Sequence, residues 1–146
     1  MKNCFCIKKG SLTAFVVWAM GLLLVACSSE QKSEAADFGT FYEQFHRDPA
    51  YQLQHITFPL EGLPSDADAE TITLGNFQWQ EEDWEIQRAI DFENSEFKQE
   101  LIKFGDDLVI EKILHQSGEY GAIRRFAKMG EEWYLIYYAG LNRIEQ

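Results

Sequence analysis

From residue 38 onward the apolar positions first recur at helical spacing. Phe38, Phe41, Tyr42 and Phe45 fall at i, i+3, i+4 and i+7, which predicts a helix with one aromatic stripe and Asp37 placed to cap it. Asp48-Pro49 then predicts a second short helix over 50–55, with the aspartate as cap and the proline in the first turn. Ile56-Thr57-Phe58 reads as extended. Leu60 to Thr71, with Gly62, Pro64 and three acids, reads as a loop. Thr71 to Leu74 predicts a short strand, 76–84 a strand, a turn or both, and 84–92 a strand in preference to a helix. Ser95 to Gly105 predicts a helix. Ser95 can cap it, Phe97, Leu101 and Phe104 share a face, and Gly105 suits the position after its last turn.

The last forty residues change period. Leu108 to Leu114, Gly121 to Met129 and Glu132 to Gly140 are rich in β-branched and aromatic residues and are joined by short connections. That pattern predicts an antiparallel meander. Helices first and sheet last is an α+β layout, with N-terminal helices packed on one face of a curved sheet.

The start of the chain obeys a different logic. Lys2, Lys8 and Lys9 precede an apolar run from Leu12 to Ala26 in which Thr13 is the only polar side chain apart from the chain's turn to Cys27. A positive start, a short apolar run and small residues form the pattern of an export signal. Fifteen residues are short for a spanning helix, which needs about 20. Leu24-Val25-Ala26-Cys27 resembles the lipobox of a bacterial lipoprotein signal. The expected organisation is a signal peptide over 1–26, a flexible tether over 27–36 and a single α+β domain over 37–146. Cys27 becomes the first mature residue and the lipid attachment site, and two or three acyl chains would hold it on a bilayer. Ser28, rather than an aspartate, follows the cysteine. The expected address is therefore the cell envelope, on an outer membrane where the cell has one.

Charge and cysteine content narrow the chemistry. The chain has 13 basic and 24 acidic residues, and three of the lysines lie in the leader, so the mature part carries 10 against 24, a net −14. Such a domain is a poor match for nucleic acid, whose phosphates need compensating cations. Cys4 and Cys6 would leave with the leader and Cys27 would be lipidated, so thiol catalysis and cysteine-based zinc sites are not expected.

The segments Phe41-Tyr42-Glu43-Gln44-Phe45 with Asp48, Tyr51-Gln52-Leu53, Ile56 and Phe58-Pro59-Leu60 have a collective likeness elsewhere. With Trp79, Trp84 and the closing Trp133-Tyr134-Leu135, they resemble a family of uncharacterised lipoproteins from Bacteroidetes-type bacteria, catalogued as a domain of unknown function. The resemblance covers most of residues 37–143. It implies a cone-shaped fold similar to nuclear transport factor 2 (NTF2-like, cystatin-like), with helices in the concavity of a curved sheet, often leaving a pocket. No catalytic residue comes with it.

Candidate sites each have two readings. Trp79 and Trp84 flank Gln80-Glu81-Glu82-Asp83, so two indoles and three carboxylates could hold a sugar, or the indoles are core and the acids a solvated turn. Arg125, beside Ile123 and Ala127, could reach into the cone and hold a carboxylate, or pair with a neighbouring acid. Glu111 and His115 share a side and could act as a base and its orienter or as two metal ligands, or form a surface ion pair. Tyr134, Tyr137 and Tyr138 line a pocket or fill sheet core. No phosphate loop or nucleophile elbow is present. The expected function is a non-catalytic domain binding a small ligand, a glycan or an envelope protein, with no cofactor and no metal. A small cone-fold enzyme using an inward Asp, Glu, His or Tyr, and a structural envelope protein, are the alternatives. A homodimer through the sheet is left open.

Overall fold

The computed structural model describes residues 37–144. The lipobox, Cys27 and the tether lie outside the described residues. The elements run α1 (Phe38–Arg47), α2 (Pro49–Gln54), β1 (Ile56–Leu63), α3 (Ala69–Leu74), β2 (Gln78–Trp79), a single 3-10 turn (Glu81–Asp83), then β3 (Phe97–Phe104), β4 (Leu108–His115), β5 (Tyr120–Met129) and β6 (Glu132–Arg143).

All six strands join one sheet in the order β2-β1-β6-β5-β4-β3. The pairs β3–β4, β4–β5, β5–β6 and β1–β2 are antiparallel, and β1 lies parallel to β6. The parallel register shifts between Ile56 and Glu61, the stretch that holds Pro59. Proline has no N–H to give to a ladder, so pairing is interrupted where it stands.

The α1 stripe packs as its spacing predicts. Phe38, Phe41 and Phe45 are buried, and their rings lie 5.5, 5.8 and 5.6 Å from that of Phe126 on β5. Leu60, Val109, Trp133 and Leu135 complete this core between α1 and the sheet. Asp48 caps α2 as expected, its Oδ1 accepting from the N–H groups of Ala50 (3.0 Å) and Tyr51 (3.2 Å). Asp37 precedes α1 without a side-chain capping bond.

Four expectations are corrected. The segment 95–105 is a strand, not a helix: Phe97 to Phe104 pair in unbroken register with His115 to Leu108. It is an edge strand with most residues exposed, and its sparse apolar positions happen to fit a helical period. Ser95 and Gly105 serve its ends. The Ser95 hydroxyl accepts from Phe97 N–H at 3.3 Å, and Gly105 takes φ 64° in the turn to β4.

The expected strand at 71–74 is the end of helix α3. The Asp68 carboxylate accepts from Thr71 N–H at 2.8 Å, and Gly75 at φ 60° closes the helix. The expected loop over 60–71 is shorter, because β1 runs to Leu63 and α3 starts at Ala69. The segment 84–92 contains no strand, and its backbone is held by a side chain of α2 instead of by a ladder.

Candidate functional site

Strand alternation, with the β5–β6 register shift between Leu135 and Tyr137, places Glu111 and Val109 of β4, Arg124 and Phe126 of β5, and Leu135 and Tyr138 of β6 on the face that α1 covers. Most of that face is apolar. Its polar residues converge on one buried network.

Glu111 is fully buried and forms an ion pair with Arg124, Oε2 to Nη1 at 2.9 Å. Its other oxygen accepts from the Tyr42 hydroxyl at 2.5 Å and from Gln99 Nε2 at 2.6 Å. Arg124 Nε donates to Gln87 Oε1 at 2.6 Å. His46, one turn after Tyr42, has Nδ1 at 2.9 Å from the Tyr42 carbonyl. A carbonyl only accepts, so Nδ1 carries the proton and Nε2 presents its lone pair to Arg124 Nη1, 3.3 Å away.

The titration of these groups follows from their surroundings. Burial pushes the Tyr42 phenol far above its ordinary value, and the adjacent Glu111 carboxylate adds to this. Burial lowers His46, with the Arg124 charge acting in the same direction against the Tyr42 carbonyl and Glu111. Both groups are therefore neutral at pH 7.

A second hub adjoins it. Gln52 on α2 is fully buried. Its Oε1 accepts from Trp84 Nε1 at 3.1 Å and from Gln87 N–H at 2.8 Å, and its Nε2 donates to the carbonyls of Phe45 and Gln87, both at 2.8 Å. One glutamine thus replaces a strand partner for 84–87 and fixes Gln87 beside Arg124.

The network opens on one side. A cleft of about 470 Å3 is walled by Trp79, Trp84, Tyr138, Gln87, Arg88 and Arg124. Among the described residues every buried side-chain nitrogen and oxygen has a hydrogen-bond partner. Arg124 has partners on Nε and Nη1. Its remaining Nη2 has no partner among the described residues and so is not fully buried, and Arg124 is one of the residues that wall the cleft. Asp83 and Glu85 also border the opening.

The ring walls are rigid. Trp79 and Trp84 meet edge to face at 6.0 Å, and both pack on Tyr138 at 5.4 Å. The Trp79 indole N–H crosses β1 to reach the Tyr138 carbonyl at 2.9 Å. This crossing passes over Gly62, where a Cβ would lie 1.8 Å from the Tyr138 oxygen and 3.0 Å from Trp79 Nε1. Both indole N–H groups are therefore spent, and the rings offer faces and edges only.

The sequence-based candidates divide accordingly. Trp79 and Trp84 do share a cleft, though Trp84 is itself part of the core. The arginine at that cleft is Arg124, not Arg125. Arg125 is exposed on the opposite face of the sheet, with its guanidinium 4.3 Å from the Tyr137 ring. Neighbours on a strand point to opposite faces, and the core-facing parity here belongs to Ala122, Arg124 and Phe126.

Glu111 and His115 do not pair. Glu111 bonds inside the core, while His115 bonds to Ser117 (2.8 Å) and Glu96 (3.4 Å) near the surface. Tyr134, Tyr137 and Tyr138 do not line one pocket. Tyr134 stacks on His55, Tyr137 lies under Arg125, and Tyr138 stands at the cleft. Tyr42, His46, Gln52, Gln87 and Gln99 were not singled out from the sequence. A polar residue inside an aromatic stripe, as in Phe41-Tyr42 and Phe45-His46, was the one signal available. Among the described residues no three His, Cys, Asp or Glu side chains are grouped as metal ligands.

No protein-family model and no curated protein matches the chain. Solved structures do. The crystal structure of an NTF2-like protein from Bacteroides fragilis superposes with a TM-score of 0.51 at 17% identity, over 73% of this chain and 47% of that one. The chain thus spans about half the length of that protein. A protein of unknown function of the DUF3225 family from Pectobacterium atrosepticum matches with a TM-score of 0.40 at 13% identity, over 79% of this chain and 94% of that one. An NTF2-like protein of unknown function from Pseudomonas putida matches with a TM-score of 0.34 at 11% identity, over 75% and 86% of the two chains. At such identities likeness speaks to fold alone, and the six-stranded sheet with α1 laid on one face has an NTF2-like α+β fold.

Proposed function

We propose that this chain is a lipid-anchored protein of the bacterial cell envelope, attached through Cys27, and that its domain binds a small carboxylate at the Arg124 cleft without transforming it. The observation that carries the ligand reading is the open valence of Arg124. Its guanidinium is fixed on two sides by Glu111 and Gln87, its remaining nitrogen makes no hydrogen bond among the described residues, and the residue lines a ring-walled cleft. A pre-oriented guanidinium binds carboxylates well because no side-chain ordering remains to be done. Trp79, Trp84 and Tyr138 would cover a flat or ring-shaped body such as an aromatic acid or a uronic acid. The enzyme reading draws less support, because the polar side-chain atoms of Glu111, Tyr42 and His46 are taken up by hydrogen bonds within the network.

The anchor reading rests on the lipobox pattern and the short apolar leader. Ser28 after the cysteine favours the outer membrane. Two measurements test the two halves. Phenylacetate and glucuronate are titrated against the tryptophan fluorescence of the full chain, and a saturable change that Trp79→Leu weakens supports the cleft. Flat titrations with both acids would sink it. Separately, Cys27→Ser in the native host should release the protein from the membrane fraction, and unchanged retention would remove the anchor.

A further inference from the structure

The sheet face opposite α1 holds a second concavity, which the reading above does not use. Its floor is built from one parity of four strands. Leu63 stands opposite Ala139, Ala139 opposite Ile123, Ile123 opposite Lys112, and Gly121 opposite Leu114. Two of these floor positions, Gly121 and Ala139, carry almost no side chain. A hollow of about 960 Å3 lies over this floor. Where Gly121 stands, a Cβ would already come within 3.1 Å of Ile144 and of Leu114. Ile72 of α3 also lines the hollow while 47% exposed, and no residue of α3 is buried in the core.

The charges on this face are unlike those of the rest of the chain. Lys112 and Arg143 line the hollow, and Lys98 and Arg125 stand on the same strand parity. The acids at strand positions of this face are Glu61, Glu100 and Glu132, and Asp66 stands at the hollow's edge. Basic and acidic residues thus balance on this face, in a chain with 13 basic and 24 acidic residues. Among the described residues Lys112 and Arg143 form no ion pair with a carboxylate, though Arg143 bonds to the Tyr120 side chain and feels the Glu119 charge.

We propose that this hollow binds a single-chain anionic amphiphile, a long-chain fatty carboxylate, with its apolar chain on the Gly121–Ala139 floor and its head group between Lys112 and Arg143. The volume falls in the usual range of about 300–1,000 Å3 for small-ligand sites. Lys112, with no ion-pair partner among the described residues, and Arg143 beside an apolar hollow complement an anionic head on an apolar chain. A second copy of the protein fits less well. A two-fold axis would set this face against itself and leave the hollows of both copies unfilled.

The test uses the full chain carrying Cys27→Ser, so that it brings no acyl group of its own. Sodium decanoate, laurate and myristate are titrated calorimetrically below their micelle concentrations. A buried methylene is worth roughly a fourfold gain in affinity. Saturable binding should therefore tighten at least fivefold for each two carbons. Ile72→Glu, at an exposed position, should weaken laurate tenfold or more, and so should Ala139→Phe, which fills the floor. The pair Lys112→Met and Arg143→Gln should weaken laurate about tenfold while leaving uncharged dodecanol unchanged. Absence of saturable binding would overturn the proposal, as would affinity indifferent to chain length or to Ile72→Glu. Concentration-dependent dimerisation without laurate affinity would overturn it too, and would assign the face to self-association.

Discussion

Arg124 and Glu111 face each other across the β4–β5 ladder, Nη1 to Oε2 at 2.9 Å, with the glutamate fully buried and the arginine 5% exposed. A buried pair of this kind contributes little net stability when intact, yet losing one partner leaves an uncompensated charge in the core. Arg124→Met or Glu111→Leu alone should cost about 3–5 kcal/mol, and the double substitution should recover much of that loss. Urea denaturation of the four proteins in a double-mutant cycle reads the coupling directly.

Gln52 offers a second test. Gln52→Leu keeps the side-chain volume and leaves the Trp84 indole N–H, the Gln87 N–H and two carbonyls without their partner. Each buried group left unsatisfied costs about 1–3 kcal/mol. The variant should melt well below the parent, and its tryptophan emission should shift to the red as 84–87 loosens. An unchanged emission spectrum would show that this segment is held by something else.

Gly62 has no room for a methyl group. Gly62→Ala would place carbon 1.8 Å from the Tyr138 carbonyl oxygen, so β1 or β6 must move. Overpacking of this sort costs about 1–3 kcal/mol. Because Trp79 donates to that same carbonyl, the substitution should also disturb the cleft wall, visible as altered near-ultraviolet circular dichroism.

His46 makes stability depend on pH. Its folded-state value is lowered from 6.5, chiefly by burial. Below pH 6.5 the unfolded chain therefore binds a proton there that the folded chain resists, and stability is lost as pH falls through this window. At high pH the Tyr42 phenol acts in the opposite sense. Its value is raised from 10.0, so the unfolded chain gives up a proton that the folded chain keeps, and stability falls as pH rises above 10.0. Denaturant midpoints at pH 7.0, 6.0 and 5.0 should decline in the parent, with a shallower decline in His46→Gln. Equal slopes in the two proteins would refute the assignment.

The strongest patterns in the chain were legible without any structure. The α1 stripe, the Asp48-Pro49 start of α2 and the C-terminal meander are each set by local periodicity and turn chemistry, and the structure keeps all three. These are elements whose apolar faces meet one core, so the pattern and the packing agree. Segments 95–104 and 71–74 were misread for the same physical reason. Both are largely exposed, so burial does not impose a period on their sequence. Hydrogen bonding to a neighbouring strand decided one, and the Asp68 and Gly75 caps decided the other.

The candidate site lay almost entirely beyond local reading. Tyr42, Gln99, Glu111 and Arg124 are brought together from α1, β3, β4 and β5, and no spacing rule connects residues spread from position 42 to position 124. Which of Arg124 and Arg125 points inward depends on register, which a one-residue bulge can invert along the whole strand. The sequence by itself determined the element types with a buried face, the acidic balance and the pattern at Cys27. Only the tertiary structure decided which polar side chains entered the core together, because that choice is made by strand pairing across the sheet and not by neighbours along the chain.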